Sequence, residues 1–238
     1  MAERGAVVIV VAAAAAVTAL GDLEETWDGL LAGKSALAPG PLDGSLGNWP
    51  LGAVRGLSGR AGLAVRQEEL IRLVLGRLPE MPADAGLVLS TTKGAADELL
   101  AEGVEDWPGQ PWSLGRQIVE IAAMQGPVST VSAACASGTL AIIDAAQRLR
   151  SDNDEKAVLV FGIDILSNFV VGGFARLHAL TKEKCRPFDR QRDGLSLGEG
   201  AAALLLTTAT EAKRRNWPVL AVCFIACLIP LVRNRASR

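Results

Sequence analysis

The segment VSAACASGTL, residues 131–140, holds one cysteine between small residues, and the chemistry it could carry is that of a nucleophilic thiol. The residues before Cys135 favour a strand and those after it favour a helix, so we predict a strand, a tight turn and a helix. A helix start offers N–H groups and positive potential that can activate a thiol without an adjacent base. The backbone N–H of Cys135 could also help to hold an oxyanion. The alternative is a small buried cysteine without reactivity, and the local sequence leaves both interpretations open.

The sequence shows no other residue that would join Cys135 in a metal site or act as its acid–base partner. His178 is the single histidine, and we interpret it as a surface or loop residue rather than a catalytic base. Cys185 is expected to be structural. Cys223 and Cys227 could share one helix face, but no third ligand type lies near them, so we predict no metal site. Four scattered cysteines also argue against a disulfide framework and favour a reducing, cytoplasmic setting.

Alternating strands and helices are predicted on both sides of Cys135, and these elements must position it. The predicted helices are 64–78, 94–103, 113–126, 137–150 and a segment around Trp27. The predicted strands are 7–11, 85–92, 127–132 and 157–164. A long loop rich in glycine and proline is expected from Ala38 to Gly62. Such an alternation is typical of an α/β fold with a largely parallel sheet.

The composition limits the partners that the protein could have. The chain has 238 residues, and its 24 basic and 26 acidic side chains give a net charge of -2. This balance does not suggest a protein that coats nucleic acid or an anionic membrane, so any partner must be recognised locally. A chain of this length can bury a sizeable core, in one large domain or in two small ones.

Two long segments resemble one enzyme family. The segment VSAACASGTLAI around Cys135 and the segment CRPFDRQRDGLSLGEGAAALLL at 185–206 closely resemble the β-ketoacyl synthases, the condensing enzymes of the thiolase superfamily. The segments STTKG and VLVFGIDILS resemble further parts of the family. The resemblance implies a β-ketoacyl synthase N-terminal domain at 1–215, followed by an atypical apolar and then basic tail at 216–238. The implied fold is thiolase-like α/β, the N-terminal half of the layered α/β/α/β/α condensing-enzyme fold.

The same resemblance implies a role for Cys135 in fatty-acid or polyketide synthesis. In this family the cysteine accepts an acyl group from the phosphopantetheine of acyl carrier protein, so neither another cofactor nor a metal is expected. A malonyl-type extender then loses carbon dioxide, and the resulting carbanion attacks the thioester. The family carries two histidines and a lysine for this step in its second half, which these 238 residues do not include. Condensation by this chain alone is therefore not expected.

The implied partners are acyl carrier protein and a second ketosynthase chain, in a homodimer or a heterodimer. Neither nucleic acid nor a membrane is expected as a partner. Two alternatives to the catalytic interpretation remain. The protein could be a non-catalytic or chain-length-determining partner of a complete ketosynthase, or it could be a truncated, inactive product. Related partner proteins often lack the cysteine, so the presence of Cys135 argues mildly against the first alternative.

The charged residues of the second resembling segment have two interpretations. Asp189, Arg190, Arg192, Asp193 and Glu199 could form structural ion pairs, or the two arginines among them could help to dock an acidic carrier protein. The glycine-rich stretch DGLSLGEGAA has neither the GKS or GKT ending of a phosphate loop nor the GxGxxG spacing. We predict instead that its glycines permit a tight hairpin near the active site.

Both ends of the chain are ambiguous in the sequence. Residues 6–20 could be the apolar region of a signal peptide, but the amphipathic segment after them favours a buried strand. The alanines 12–16 stand where the family carries glycine, so the local loop is expected to differ. These alanines are also small enough for close packing or for a helix. The apolar run 217–232 contains Pro218 and Pro230 and is shorter than a membrane span of about 20 residues. We therefore expect a buried or misplaced tail rather than a membrane helix.

Overall fold

The computed structural model of the protein describes residues 7–40, 42, 46, 48–59, 62–100, 110–151 and 155–223. The strands are β1 (Ile9–Thr18), β2 (Gly21–Asp22), β3 (Ala38–Pro39), β4 (Pro50–Leu51), β5 (Gly86–Ser90), β6 (Val128–Val131), β7 (Ala157–Asp164), β8 (Gly200–Thr208) and β9 (Ala221–Cys223). The helices are α1 (Leu23–Leu31), α2 (Ala64–Leu75), α3 (Pro111–Ile121), α4 (Ser137–Arg150), α5 (Asn168–Arg176) and α6 (Ala209–Arg215), with a 3₁₀ helix at Ala96–Leu100.

Seven strands form one mixed sheet in the order β2-β1-β8-β7-β5-β6, with β9 also paired to β1. Only β6, β5 and β7 run parallel to one another, whereas β8 is antiparallel to both β7 and β1. The prediction of a largely parallel sheet is therefore wrong. Gly200 at the start of β8 pairs with Asp164 at the end of β7. The chain thus returns to the sheet at the end where it left, and this geometry requires an antiparallel pair.

β1 is a longer strand than the sequence predicts. It runs from Ile9 to Thr18 and includes the whole alanine run, with a register shift between Val11 and Ala13. The alanines neither form a loop nor begin a helix, because their small side chains pack beneath the helices of the core. Most of the segment 6–20 that could resemble a signal peptide is therefore a buried strand beside β8.

Helices cover both faces of the sheet. Leu87 and Leu89 of β5 belong to a core cluster with residues of α2 and α3. Val88, which lies between them, belongs to a second cluster with Ala141 and Ala145 of α4. Because side chains alternate along a strand, these two clusters lie on opposite faces. The domain therefore has three layers, α/β/α, as expected for this part of a thiolase-like condensing enzyme.

Several predicted elements have the observed limits, and others end where a specific residue interrupts them. α4 and β7 occupy the predicted residues. α2 ends at Leu75, three residues before the predicted limit, and Gly76 follows it as the C-cap residue. α3 starts two residues early, at Pro111 in its first turn, and ends at Ile121 well before the predicted limit.

The predicted helix 94–103 is a 3₁₀ helix in its middle, at Ala96–Leu100, and residues 101–103 lie outside the described residues. The long loop from Ala38 to Gly62 contains the two short strands β3 and β4, which pair with each other. Tight 3₁₀ turns and two-residue strands are too short to show the periodicity on which sequence prediction depends.

Part of the predicted tail lies on the domain, but the expectation of a buried tail is wrong for most of its described residues, since Val219, Leu220 and Val222 are exposed. Trp217 packs against the larger core cluster, and the guanidinium of Arg215 lies 4.9 Å from the centre of its ring. Ala221–Cys223 then forms β9 beside β1. Residues 224–238, which include Cys227, lie outside the described residues. Within the described part of the chain, no helix is long and apolar enough to cross a membrane.

Candidate active site

Cys135 lies in an exposed turn between β6 and α4, which is the predicted arrangement of strand, turn and helix. Ala134 has φ +48°, in the left-handed region that is strained for a residue with a Cβ atom. The hydroxyl of buried Ser137 donates to the carbonyl of Ala134 at 2.7 Å and accepts from the N–H of Ala133 at 2.8 Å. Ser137 therefore holds the turn that presents the thiol.

Three parallel strands end beside this turn. β6 leads to Cys135, β7 ends at Asp164, and β5 leads to the turn that contains Thr92 and Lys93. The carboxyl ends of parallel strands lie at one edge of a sheet, where α/β proteins generally place their sites. The hydroxyl of Ser132 donates to the carbonyl of Thr92 at 3.2 Å, which connects the β5 turn to the cysteine turn.

A largely apolar cavity of about 440 Å³ opens beside Cys135. Its wall includes the end of β7, one side of α5 and the segment before β8. The lining residues are Thr92, Lys93, Ala134, Cys135, Asp164, Ile165, Leu166, Ser167, Val170, Val171, Phe174, Leu197 and Gly198. A second cavity of similar volume shares Thr92, Ala134, Cys135 and Asp164 with the first. These four residues therefore separate the two spaces, and we call the first one the Cys135 cavity.

The carboxylate of Asp164 accepts hydrogen bonds from several donors of the β5 turn. The hydroxyls of Thr91 and Thr92 lie at 3.1 and 2.7 Å from Oδ1, and the N–H of Thr92 lies at 3.0 Å. The ammonium of Lys93 lies at 3.3 Å from the same oxygen. This ion pair adjoins the thiol-bearing turn and is not among the predicted site residues. The STTKG motif and the acidic end of β7 were its only local signals.

A buried ion pair supports the cavity wall from behind. Glu199, which precedes β8, pairs with Arg66 of α2, and both side chains are buried. The same carboxylate accepts the N–H of Val54 at 2.8 Å and the N–H of Leu166 at 3.2 Å. Since Leu166 lines the Cys135 cavity, this ion pair fixes part of its wall. Arg66 is not among the predicted site residues either, although a charged residue on the buried side of an amphipathic helix is a visible signal.

The predicted charged cluster of the second resembling segment is not one cluster. Glu199 is buried against α2, whereas Asp193 accepts from the hydroxyl of Thr181 at 2.9 Å and pairs with Arg186 at 3.6 Å. The Thr181 hydrogen bond lowers the pKa of Asp193. Arg192 donates to the carbonyl of Asp189 at 3.1 Å.

The predicted hairpin in the glycine-rich stretch is wrong. Leu195 forms a parallel bridge with Leu180, and Gly198 forms another with Gly52. At Gly194, φ is +153° and a Cβ atom would meet the backbone of Leu180 and Thr181 at 2.5–2.6 Å. The glycines therefore permit close packing of this segment against two other segments rather than a reversal of the chain.

Other predicted residues lie away from the Cys135 cavity. His178 is exposed beyond the end of α5, and Arg190 and Arg192 are exposed on the loop before β8; none of the three lines the cavity. The thiol of Cys185 lies 3.7 Å from the carbonyl oxygen of Gly194, in keeping with a structural role. Burial raises the pKa of the Cys223 thiol. Among the described residues, no group of three or more His, Cys, Asp or Glu side chains could hold a metal ion.

Comparisons with known proteins agree with this architecture. The fold is similar to a β-ketoacyl synthase from Burkholderia phymatum, with a TM-score of 0.76 and 24% identity, covering 91% of this chain and 63% of that one. It is also similar to the ishigamide ketosynthase/chain length factor, with a TM-score of 0.77 and 23% identity, covering 91% and 62%. The protein therefore has the thiolase-like fold of a ketosynthase.

The sequence matches the family described as "Beta-ketoacyl synthase, N-terminal domain" over residues 88–212. It is 35% identical over 105 residues to 3-oxoacyl-[acyl-carrier-protein] synthase 2 from Coxiella burnetii, which covers 41% of this chain and 25% of that protein. Other relatives are polyketide synthases of Streptomyces. The chain belongs to the β-ketoacyl synthase family. It spans only part of the length of the curated relatives that it matches.

Proposed function

We propose that Cys135 is the nucleophile of a β-ketoacyl synthase and accepts an acyl group from the phosphopantetheine of acyl carrier protein. The sulfur attacks the thioester carbonyl carbon and forms a new S–C bond. The bond between that carbon and the carrier sulfur breaks, and the carrier thiol leaves with the proton. The observation that carries this proposal is an exposed thiol, in a turn held by Ser137, beside a largely apolar cavity.

The Cys135 cavity has the composition that an acyl chain requires. Ile165, Leu166, Val170, Val171 and Phe174 contribute apolar surface beside the thiol. Transfer of an alkyl chain from water to such a surface is favourable by about 0.8 kcal/mol for each buried CH₂ group. The proposal therefore places the chain of the acyl-enzyme in this cavity. No cofactor of the protein itself takes part, and a reducing cytoplasm would keep the thiol free.

Decarboxylative condensation with a malonyl-type extender is our proposal for the whole protein, in fatty-acid or polyketide synthesis. Acyl transfer is the step that the residues of this sequence can support. His178, the single histidine of the sequence, does not line the Cys135 cavity, so no histidine of the described part lies there.

We also propose that Arg190 and Arg192 contribute to docking the carrier protein. Both lie on an exposed loop before β8, which also carries Lys182, Lys184 and Arg186. Positive charges on an exposed surface accelerate the encounter with an acidic partner and make its rate sensitive to salt.

Acyl transfer is tested by incubating the full chain with hexanoyl-loaded acyl carrier protein and measuring intact mass. We expect one hexanoyl group on the wild-type protein and on Cys185→Ala, and none on Cys135→Ser. Absence of the group from the wild-type protein, or its presence on Cys135→Ser, would contradict the proposal.

A second candidate function is that of a partner which pairs with a complete ketosynthase and shapes its acyl cavity. β6 ends the sheet order, and Val128 on this strand is 44% exposed, so this edge could pair with another chain. The ketosynthase/chain length factor among the similar folds makes such a pair a reasonable alternative. Co-purification with a complete ketosynthase, with Cys135→Ala leaving the pathway product unchanged, would favour this function over the first.

A further inference from the structure

The Cys135 cavity contains one cation in an otherwise apolar setting. Lys93 and Asp164 are the charged side chains among the described residues that line it. The Lys93 side chain is only 16% exposed, although a lysine outside a binding site usually extends into water. Its position is therefore fixed by the fold rather than by solvent.

The hydrogen bonds around Asp164 show how Lys93 is held. The carboxylate already accepts from Thr91 and Thr92, so its position does not depend on the lysine. The lysine forms one contact to it at 3.3 Å. An ammonium group has three N–H donors, so donors remain for a ligand in the cavity.

Lys93 also lies beside the part of the cavity that carries the thiol. Four residues lie between the two cavities and line both of them: Thr92, Ala134, Cys135 and Asp164. Lys93 follows the first of these in the chain and forms an ion pair with the last. The bond from Ser132 to the carbonyl of Thr92 ties this turn to the cysteine turn. An acyl group on Cys135 that enters this cavity would thus share it with the lysine, and its chain would contact the apolar residues of α5.

We propose that Lys93 is a specificity-determining residue that favours acyl chains carrying a polar oxygen, such as 3-hydroxyacyl groups, over chains without one. This inference rests on the proposed acyl transfer to Cys135. The ammonium donates a hydrogen bond to the substrate oxygen while Asp164 holds it in place. An acyl chain without this oxygen leaves the ammonium paired only with Asp164. Such a chain therefore receives no hydrogen bond from the lysine. A hydrogen bond to a charged group corresponds to about a tenfold preference.

The test compares two N-acetylcysteamine thioesters, hexanoyl and 3-hydroxyhexanoyl, as acyl donors to the full chain. The measured quantity is the ratio of their initial rates of acylation at Cys135, followed by mass spectrometry. We expect Lys93→Met to lower the ratio of 3-hydroxyhexanoyl to hexanoyl about tenfold relative to wild type. The hexanoyl rate of each variant is the internal reference, since that substrate has no oxygen on its chain for the lysine to bind.

Two further variants distinguish specificity from a structural effect. Lys93→Arg keeps the positive charge and should keep most of the preference. Lys182→Met removes a lysine that lies over Trp49, outside the cavity, and should leave the ratio unchanged. Equal ratios in wild type and Lys93→Met, or a collapse of the hexanoyl rate in Lys93→Met, would overturn this inference while the proposed function stands. Absence of transfer from either thioester to the wild-type protein would overturn both.

Discussion

Arg66 and Glu199 are 133 residues apart in the sequence and form an ion pair whose side chains are 3% and 0% exposed. The guanidinium also donates to the carbonyls of Val54 and Leu57, and the carboxylate accepts the N–H of Leu166. This pair joins α2, the loop before it, the end of β7 and the start of β8. The wall of the Cys135 cavity therefore depends on an interaction in the interior of the domain.

Removal of one partner of this pair should destabilise the protein strongly. We expect Glu199→Ala or Arg66→Ala to lower the free energy of unfolding by about 3–5 kcal/mol, because each leaves an unpaired buried charge or its unsatisfied partners. Urea denaturation measures this loss. The double variant should lose clearly less than the sum of the two single losses.

The exposed pair of Glu68 and Arg72 on α2 supplies the control. Their side chains are 45% and 59% exposed. We expect Glu68→Ala to change the free energy of unfolding by about 0.5 kcal/mol or less, since exposed helix pairs contribute little. Similar losses for Glu68→Ala and Glu199→Ala would show that the buried pair has no special role.

Ser137 should control the reactivity of Cys135 through the shape of the turn. Ser137→Ala removes both the bond to the Ala134 carbonyl and the bond from the Ala133 N–H. We expect a loss of about 1–3 kcal/mol in the free energy of unfolding, because two hydrogen bonds that each contribute about 0.5–1.5 kcal/mol are removed. The iodoacetamide reaction rate of Cys135 should change as well. Ser151→Ala, at the exposed end of α4, is the matched control and should leave that rate as in wild type. An unchanged rate in Ser137→Ala would contradict this role.

Val170 should limit the length of the acyl group that the Cys135 cavity accepts. This half-buried residue of α5 lines the cavity, and Val170→Trp would fill part of it. We expect the ratio of octanoyl to acetyl transfer to fall about tenfold, because overpacking costs about 1–3 kcal/mol. The adjacent Phe169 is 60% exposed and does not line the cavity, so Phe169→Trp should leave the ratio unchanged. Equal ratios in the two variants would show that the chain lies elsewhere.

Glu211 should contribute a pH-dependent part of the stability. Hydrogen bonds from Arg214 and Arg215 lower the pKa of this carboxyl from 4.5 to about 2. Since the pKa is lower in the folded state, the contribution is complete above pH 4.5 and is lost as the pH falls towards 2. We expect the destabilisation caused by Glu211→Gln, measured by urea denaturation, to shrink over this interval. A difference from wild type that stays constant from pH 6 to pH 2.5 would contradict the ion-pair account.

The sequence predicts the elements around Cys135 better than their arrangement. The helix and strand that follow the cysteine have the predicted limits because their apolar residues recur with a clear period. β8 received no prediction as a strand, and its antiparallel pairing depends on where the chain re-enters the sheet. The packing of the loop before Gly200 determines where the chain re-enters the sheet. No local sequence pattern indicates this packing.

In the site, too, the sequence predicts local features better than contacts between distant segments. Cys135 is recognisable because the strand, the turn and the helix start are local in sequence. Lys93 and Asp164 meet only because β5 and β7 are neighbours in the sheet, and Arg66 meets Glu199 only through tertiary packing. Contacts between distant segments carry no periodicity, so sequence patterns leave them undetermined.

The central claim, that the fold makes Cys135 the acyl acceptor, is tested most directly by mapping acylation to individual cysteines. The full chain is incubated with a hexanoyl thioester in its folded state and again in urea, and the peptides are analysed by mass spectrometry. We predict that in the folded protein Cys135 is acylated well ahead of Cys185 and Cys223, and that this preference disappears in urea. Equal acylation of the three cysteines in the folded protein, or a preference for Cys135 that persists in urea, would contradict the account.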